Sequence, residues 1–226
     1  MRIKPSLVPL SLALCCLCAA HAPAQGGKGA PPPPIPPPDV TAPTPTPAAR
    51  VVEDANAPAG WKRYEFKYGG GDAMSVFFPR VPEESVEKSA GPGGSYVVVH
   101  MLSADTRAGV YLASYMELIA AGNIKITPAE REGIFNEFWA HFSEGLQGGL
   151  EKMGFQAKLT SSAPRKVTAA GREALEQDFN VGKVKGRYRT VLGERNVYML
   201  IAFGFEEGAS GERDAFLESW KLAARR

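Results

Sequence analysis

The stretch APPPPIPPPDVTAPTPTPAA, residues 30 to 49, contains ten prolines and no aromatic residue. Such a segment cannot bury enough apolar surface to offset the entropy that ordering costs, so it is predicted to stay disordered. Locally it favours polyproline II, a semi-rigid spacer that rises ~3.1 Å per residue. We therefore predict a disordered proline-rich linker over residues 25–60 and a single folded domain over residues 61–226. A ligand for a proline-recognition domain is the alternative; outside the cytosol a stalk is favoured.

Residues 1–24 have the pattern of a secretory signal peptide. Arg2 and Lys4 precede the apolar run LVPLSLALCCLCAA, residues 7 to 20, and APAQ offers a cleavage site after Ala24. The run of 14 residues is too short to cross a bilayer as a helix. The protein is therefore predicted to be secreted or periplasmic, with no membrane span.

All three cysteines, Cys15, Cys16 and Cys18, lie in the segment that would be removed. Lipidation of a bacterial lipoprotein needs a small residue directly before the cysteine, whereas Leu14, Cys15 and Leu17 occupy those positions. Free export is therefore favoured over a lipid anchor. A mature chain without cysteine has no disulfide, no thiolate nucleophile and no Cys-ligated metal, so its stability must come from a packed core.

The net charge excludes some classes of partner. Lys and Arg total 26 against 24 Asp and Glu, and removal of Arg2 and Lys4 leaves 24 against 24. A neutral protein has no long-range field that would steer nucleic acid or an anionic membrane toward it. We expect no nucleic-acid partner, and the predicted partner is an envelope protein of unknown identity.

The periodicity of apolar residues predicts both strands and helices. A long helix is predicted over 127–154, where Thr127, Pro128 and Glu130 form a start signal and Gly154 a stop. The predicted strands are 61–68, 73–79, 96–102, 109–116, 155–161, 172–181, 184–192 and 196–205, and a second helix is predicted over 210–224. This order predicts an α+β fold, in which an antiparallel β-sheet of about six to eight strands carries one long central helix and a C-terminal helix, as an α/β/α sandwich.

Four basic residues stand at alternate positions from a predicted turn into the predicted strand 184–192 and form a possible interaction surface: Lys183, Lys185, Arg187 and Arg189. Side chains at alternate positions of a strand share one face, so the row could bind an anionic partner. Exposed charge runs are more often solvated faces or internally paired ones. Both interpretations are open until the register of the strand is known.

A hairpin that turns at Gly182 and Lys183 would give this row partners inside the fold. Arg187 then faces Asp178, Arg189 faces Glu176, and Lys185 faces Asn180. Opposite charges directly across a ribbon contribute a few tenths of a kcal/mol to about 1 kcal/mol each. The structural interpretation is therefore favoured over the binding one, although a slip of one residue would turn the row away from its acids.

The histidines give no specific metal or catalytic pattern. His100 lies on a strand face, where a hydrogen-bonded, half-buried histidine is expected. His141, with Glu137 and Glu144 on one helix face, could form one side of a metal site. A single helix supplies too few ligands, so a solvated helix face is expected and no metal or cofactor is predicted.

Other catalytic signatures are not found in the sequence. GASG, residues 208 to 211, is not a G-x-S-x-G nucleophile elbow. YGGGD (68 to 72) and GPGG (91 to 94) lack the lysine of a phosphate-binding loop and separate strands as turns do. The pairs Glu83-Glu84 and Glu206-Glu207 give no sign of desolvation. No catalytic residue is predicted.

Several short motifs resemble those of the PsbP-like superfamily, which includes the photosystem II extrinsic P subunit, the Ran-GTPase release factor and DcrB-type lipoproteins. They are Phe78-Pro79 with Pro82, GREA (171 to 174), the paired strands GRYRTV and NVYML, and FLESW (216 to 220). The resemblance covers about residues 61–224. It implies an α/β/α sandwich and a non-enzymatic role in binding or steadying a protein partner.

Three functions are therefore compared. The leading hypothesis is an exported, non-enzymatic protein-interaction or assembly module on a proline-rich stalk, whose candidate surfaces include the loops around 69–72 and 90–95. A small-ligand or lipid carrier would need an elongated apolar cavity between helix and sheet. A metal-independent hydrolase using carboxylates would need a deep pocket that holds a desolvated acid or histidine.

Overall fold

The computed structural model describes residues 50–67, 73–90, 96–119, 127–152, 158–193, 196–204 and 210–223. The helices in these ranges are α1 (Pro128–Lys152) and α2 (Ser210–Glu218). The strands are β1 (Arg50–Val52), β2 (Lys62–Phe66), β3 (Ala73–Phe78), β4 (Glu83–Ala90), β5 (Tyr96–Asp105), β6 (Gly109–Ile119), β7 (Leu159–Ser161), β8 (Arg165–Ala169), β9 (Arg172–Val181), β10 (Val184–Leu192), β11 (Asn196–Gly204) and β12 (Lys221–Ala223). The fold is α+β, which confirms the predicted class.

Eight of these strands form one antiparallel sheet in the order β4-β5-β6-β11-β10-β9-β7, with β8 pairing beside β7 on the same side of β9. The predicted hairpins β5–β6 and β9–β10 are both present. The central strand β11 is buried along nearly its whole length, as expected for a strand covered on both faces. Two strands of this sheet, β4 and β8, were not predicted.

The remaining strands form a second sheet in the order β1-β2-β3-β12, where a single sheet was expected. Its edge strand β1 lies inside the segment 25–60 that the sequence predicts to be a disordered linker; residues 50–52 instead pair with β2. Its other edge is β12, so the prediction of a helix over the whole of 210–224 was wrong. The helix ends at Glu218, and Lys221–Ala223 returns as a strand against β3.

The eight-stranded sheet is covered on both faces. On one face lie the four-stranded sheet and α2, and their shared core includes Tyr64, Phe78, Tyr111, Tyr198 and Phe216. Of the described elements, α1 covers the other face. The helices therefore flank the sheet as a sandwich predicts, but one outer layer is mixed, because a second sheet lies beside α2.

The long helix α1 packs through a stripe of large side chains. It begins at Pro128, directly after Thr127 as predicted, and Phe135, Phe142, Leu146 and Leu150 are buried against the sheet. These positions recur at intervals of seven, four and four residues, which places them on one helical face. The helix is described to Lys152, and the predicted stop at Gly154 lies outside the described residues. Neither described helix combines the length and the apolar character that crossing a membrane requires.

Candidate functional site

The basic row lies on β10 in the register that the sequence predicts. Arg187 pairs with Asp178, Arg189 with Glu176, and Lys185 with Asn180 of the neighbouring strand β9. The strands turn at Gly182, which has φ 58° and so adopts a left-handed conformation that glycine tolerates without strain. The prediction of cross-strand acid–base pairs is therefore confirmed for the two arginines.

Arg189 is fully enclosed by its partners. Only 3% of the residue is exposed, and its Nε donates to Oε2 of Glu176 at 2.7 Å. The two terminal nitrogens reach the C-terminal end of α2, where they donate to the carbonyl oxygen of Leu217 at 2.9 Å and to Oε1 of Glu218 at 2.6 Å. This arginine therefore fastens the last turn of α2 to the eight-stranded sheet.

Two further arginines complete the network around the same strand. From β8, Arg165 donates to Oε1 of Glu176 at 2.5 Å and to Oδ2 of Asp178 at 2.6 Å. From β10, Arg187 donates to Oδ1 of Asp178 at 2.7 Å and to Asp214 of α2 at 3.0 Å. Burial alone would raise the pKa of the Asp178 carboxyl, but hydrogen bonds from the two arginines lower it below its ordinary value overall.

The two lysines of the row are placed differently from the two arginines. Lys183 lies in the turn and Lys185 at the start of β10, and both are exposed. The four residues that the sequence groups as one surface thus divide into a buried or half-buried pair within the fold and an exposed pair at the hairpin tip. Of these four residues, only Lys183 and Lys185 can contact a partner without the loss of an ion pair inside the fold.

A second polar cluster lies on the outer face of the four-stranded sheet and was not predicted. Arg63 is buried, stacks 4.2 Å from the ring centroid of Phe77, and donates to Oδ2 of Asp54 at 2.7 Å and to the carbonyl oxygen of Ser219 at 2.7 Å. The pKa of Asp54 is lowered to about 2, chiefly by the hydrogen bond from the backbone N–H of Asn56 and next by the hydrogen bond from Arg63. The cluster joins the segment before β2 to the segment after α2.

His100 is hydrogen-bonded, as expected, but it is buried rather than half-buried. Its Nδ1 lies 3.3 Å from Oε1 of Glu84 on the neighbouring strand β4, and its ring lies 6.1 Å from that of Tyr115. A histidine paired with a carboxylate can serve as a base in catalysis, but the same pair also satisfies two polar side chains at the edge of a sheet.

The remaining candidates do not converge on a site. Glu137, His141 and Glu144 lie along α1, and no group of three potential metal ligands comes together anywhere in the described ranges. Glu83 lies within 3.5 Å of Arg80, on the exposed surface. The glycine-rich segments 68–72 and 91–94, the candidate loop 69–72 and Glu206-Glu207 lie outside the described residues. Of the candidate loop 90–95, Ala90 ends β4 and the other residues lie outside the described ranges.

Aromatic rings fill the layer between α1 and the sheet. The ring centroids of Phe142 and Phe179 are 5.3 Å apart, and those of Phe135 and Tyr188 are 5.5 Å apart. A cavity in this layer, lined by Phe135, Leu175 and Thr190 among others, measures about 10 Å³, which is the space of about one water molecule. This cavity is far too small for a lipid or a drug-sized ligand.

A shallow groove of about 270 Å³ opens at the β8–β9 hairpin, lined by residues that include Lys166, Thr168 and Arg172. Its turn has positive φ at Ala170 and Gly171, so the two strands reverse direction tightly. The groove is mostly polar and open to solvent, and its Lys166 lies 4.0 Å from Glu173. It is a surface depression rather than an enclosed pocket.

Sequence reasoning found the Glu176–Arg189 and Asp178–Arg187 pairs but missed three members of the network. Arg165 was missed because no strand was predicted over 165–169, and the turn at Ala170 and Gly171 lacks the Asn-Gly or Asp-Gly pair that marks a two-residue hairpin. Asp214 and Glu218 reach the network from α2, and no local pattern connects them with residues on β10.

No protein-family model matches the chain, and no curated protein matches it by sequence. Among solved structures, the chain is similar to the solution structure of cyanobacterial PsbP from Synechocystis sp. PCC 6803, with 13% identity and a TM-score of 0.44. The match covers 76% of this chain and 98% of that one. That protein belongs to the group which the sequence motifs resemble; membership of the PsbP-like superfamily stays a prediction for this chain.

Proposed function

We propose that the chain is an exported, non-enzymatic protein-interaction module held on a proline-rich stalk, and that its partner is an envelope protein. One observation carries the proposal: the buried ionisable groups are committed to the fold. Glu176, 2% exposed, accepts hydrogen bonds from both Arg165 and Arg189. Both oxygens of this carboxylate are engaged by guanidinium groups of the fold, so we assign it a structural role.

The two rival functions fit this arrangement less well. A carrier needs an apolar cavity, whereas the layer beneath α1 is occupied by interlocking rings such as Phe135, Phe142 and Phe179. A hydrolase that uses carboxylates needs an acid or base poised for proton transfer. The half-buried carboxylate nearest that description, Glu84, already pairs with His100 at the sheet edge.

The contact surface proposed for the partner is the tip of the β9–β10 hairpin. Lys183 and Lys185 project there, beside the exposed Asn180, and the turn itself is formed by Gly182. Two ammonium groups on a rigid hairpin favour an acidic surface on the partner, through contacts that weaken as salt increases.

The test is capture of a partner from an envelope extract with the exported chain as bait, in parallel with two double variants. Lys183→Glu/Lys185→Glu reverses the charge at the hairpin tip. Lys62→Glu/Lys67→Glu makes the same change in charge at two exposed positions on and beside β2. We expect one protein to be enriched by the wild type and by the second variant, and to be lost with the first.

Two results would refute the proposal. If no protein is enriched over an unrelated exported protein of similar charge, the chain is not an interaction module of the envelope. If a protein is captured equally by both double variants, the hairpin tip is not its contact surface.

A further inference from the structure

The strand β4 (Glu83–Ala90) is the longest edge of either sheet in the described part of the chain. It has eight residues and ends the eight-stranded sheet, whereas the other edge strands β1, β7, β8 and β12 have three, three, five and three. Natural sheets keep exposed edges short, because a long edge offers a row of backbone groups on which another strand can pair. A long edge therefore calls for an occupant or a device that restricts pairing.

The side chains of β4 place charge on both sides of one apolar residue. Glu84, Val86 and Lys88 alternate and so share a face of the sheet. Val86 is 41% exposed, and it is one of the few large apolar side chains with such exposure among the described residues. Along this edge an acidic, an apolar and a basic residue therefore follow one another at equal spacing. A second copy of the strand that runs in the opposite direction places its basic residue opposite the acidic one and its acidic residue opposite the basic one.

We propose that β4 is a homodimerisation edge, on which a second copy of this chain pairs antiparallel through its own β4, with the two-fold axis at Val86. In this register Val86 lies opposite the second copy's Val86. Glu84 lies opposite the second copy's Lys88, and Lys88 opposite the second copy's Glu84. A two-fold axis makes every contact occur twice, so two opposite-charge pairs flank one apolar pair.

The other registers of the same edge are opposed by like charges. If the second strand is shifted by two residues in one direction, Glu83 lies opposite the second copy's Glu87. If it is shifted by two residues in the other direction, Glu87 lies opposite the second copy's Glu87. A shift by four residues places Glu84 opposite the second copy's Glu84, or Lys88 opposite the second copy's Lys88. Shifts by an odd number of residues do not allow backbone hydrogen bonds between the two strands, because only alternate residues of an edge point their N–H and C=O groups outward. The charges therefore permit one pairing and disfavour its neighbours.

The structure already holds one of the charges in place. Oε1 of Glu84 lies 3.3 Å from Nδ1 of His100 on β5, which engages one carboxylate oxygen and leaves the second for a lysine. Lys88 is exposed on the same strand face. The dimer joins two eight-stranded sheets into one continuous sheet. It does not rest on the envelope partner proposed above, since a hairpin tip and a sheet edge are separate surfaces.

The experiment is a charge swap measured by sedimentation of the exported chain over a range of concentrations. Lys88→Glu alone places Glu opposite Glu twice, and Glu84→Lys alone places Lys opposite Lys twice. Each variant alone should raise the dissociation constant of the dimer about tenfold or more. Mixed together, the two variants restore both opposite-charge pairs, so the mixture should dimerise where neither component does.

A cysteine at the two-fold axis gives a second measurement that does not depend on Glu84. Directly opposed strand residues have Cα atoms ~4.5–5.5 Å apart, which a disulfide can span. We expect Val86→Cys to form a covalent dimer under mild oxidation much faster than Val81→Cys, whose residue is 70% exposed but lies outside β4.

Wild-type chain that stays monomeric up to several hundred micromolar would overturn the inference, and so would a Lys88→Glu variant that dimerises as the wild type does. Equal rates of disulfide formation at Val86→Cys and Val81→Cys would also overturn it. If Glu84→Lys does not fold, the Lys88→Glu and cysteine measurements decide the outcome.

Discussion

Replacing Arg189 by methionine isolates the energetic role of the buried ion pair. Methionine keeps much of the apolar volume but removes the guanidinium that donates to Glu176 at 2.7 Å, to Leu217 O at 2.9 Å and to Glu218 at 2.6 Å. Removing one member of a buried ion pair costs roughly 3–5 kcal/mol, because the other charge is left uncompensated. Arg165 still contacts Glu176 at 2.5 Å, so the expected cost is at the lower end, about 3 kcal/mol.

The free energy of unfolding is measured by urea denaturation, which is followed by circular dichroism. An unchanged slope of this free energy against urea concentration shows that the variant and the wild type unfold to the same state. A loss of about 3 kcal/mol corresponds to a fall in melting temperature of roughly 6–12 °C in a domain of this size. Lys185→Met is the matched control, because it removes a charge from the same strand and the same face at an exposed position, where changes stay within about 0.5 kcal/mol.

A companion variant separates the loss of attraction from the burial of an unpaired charge. Glu176→Leu combined with Arg189→Met removes both members of the pair, so it should be less destabilised than Arg189→Met alone. If Arg189→Met differs from Lys185→Met by less than about 1 kcal/mol, the guanidinium is not held as the structure describes, and the assignment of the ribbon charges to the fold is wrong.

The remaining predictions concern packing, helix propensity and pH. Gly186→Val should destabilise the domain by roughly 1–3 kcal/mol, because a Cβ there would lie 2.2 Å from the ring of Phe179; the urea midpoint measures it, and an unchanged midpoint contradicts the packing. Gly133→Ala should stabilise by about 0.5–1 kcal/mol, since its Cβ meets nothing within 4 Å on an exposed helix; a lower melting temperature would refute this. Asp54, whose pKa is lowered from 3.8 to about 2, contributes stability that is complete above the higher value and lost as pH falls through the lower one. Asp54→Asn should therefore flatten the decline of the urea midpoint between about pH 4 and pH 2, and an unaltered decline would exclude this contribution.

The β9–β10 ribbon could be predicted to the residue because its information is local. The two strands are joined by a turn of Gly182 and Lys183, and each arginine on one strand has its acid directly opposite on the other. A slip by one residue would separate these pairs, so charge and turn geometry specify the same register.

The strands that sequence reasoning missed lack such local information. The strand β4 is EESVEKSA, with charges where a buried strand would have apolar residues, because it lies at an edge. The segment KLA favours a helix locally, yet Leu222 packs against the core and pairs with Met74 of β3, about 150 residues earlier in the chain. Tertiary packing overrode the local preference there.

The candidate surface was predicted in part, and the missing part is long-range. The basic row and its acids were visible in the sequence, but the contribution of Glu218 on α2 was not. Burial therefore divides the row in two, since the arginines face α2 and the lysines extend beyond it. No periodicity along β10 could have shown where the covering helix ends.

The four-stranded sheet is closed by the two ends of the described chain. Arg63 donates to the carbonyl of Ser219, 156 residues further on, and the backbone N–H of Phe77 donates to the hydroxyl of the same serine. In a chain synthesised from its N-terminus, β3 therefore lacks its partner β12, and the aromatic core beneath it lacks the cover of α2, until residues 210–223 have been made. Until that segment is present, the domain cannot complete the tertiary structure of this sheet and of the core beneath it.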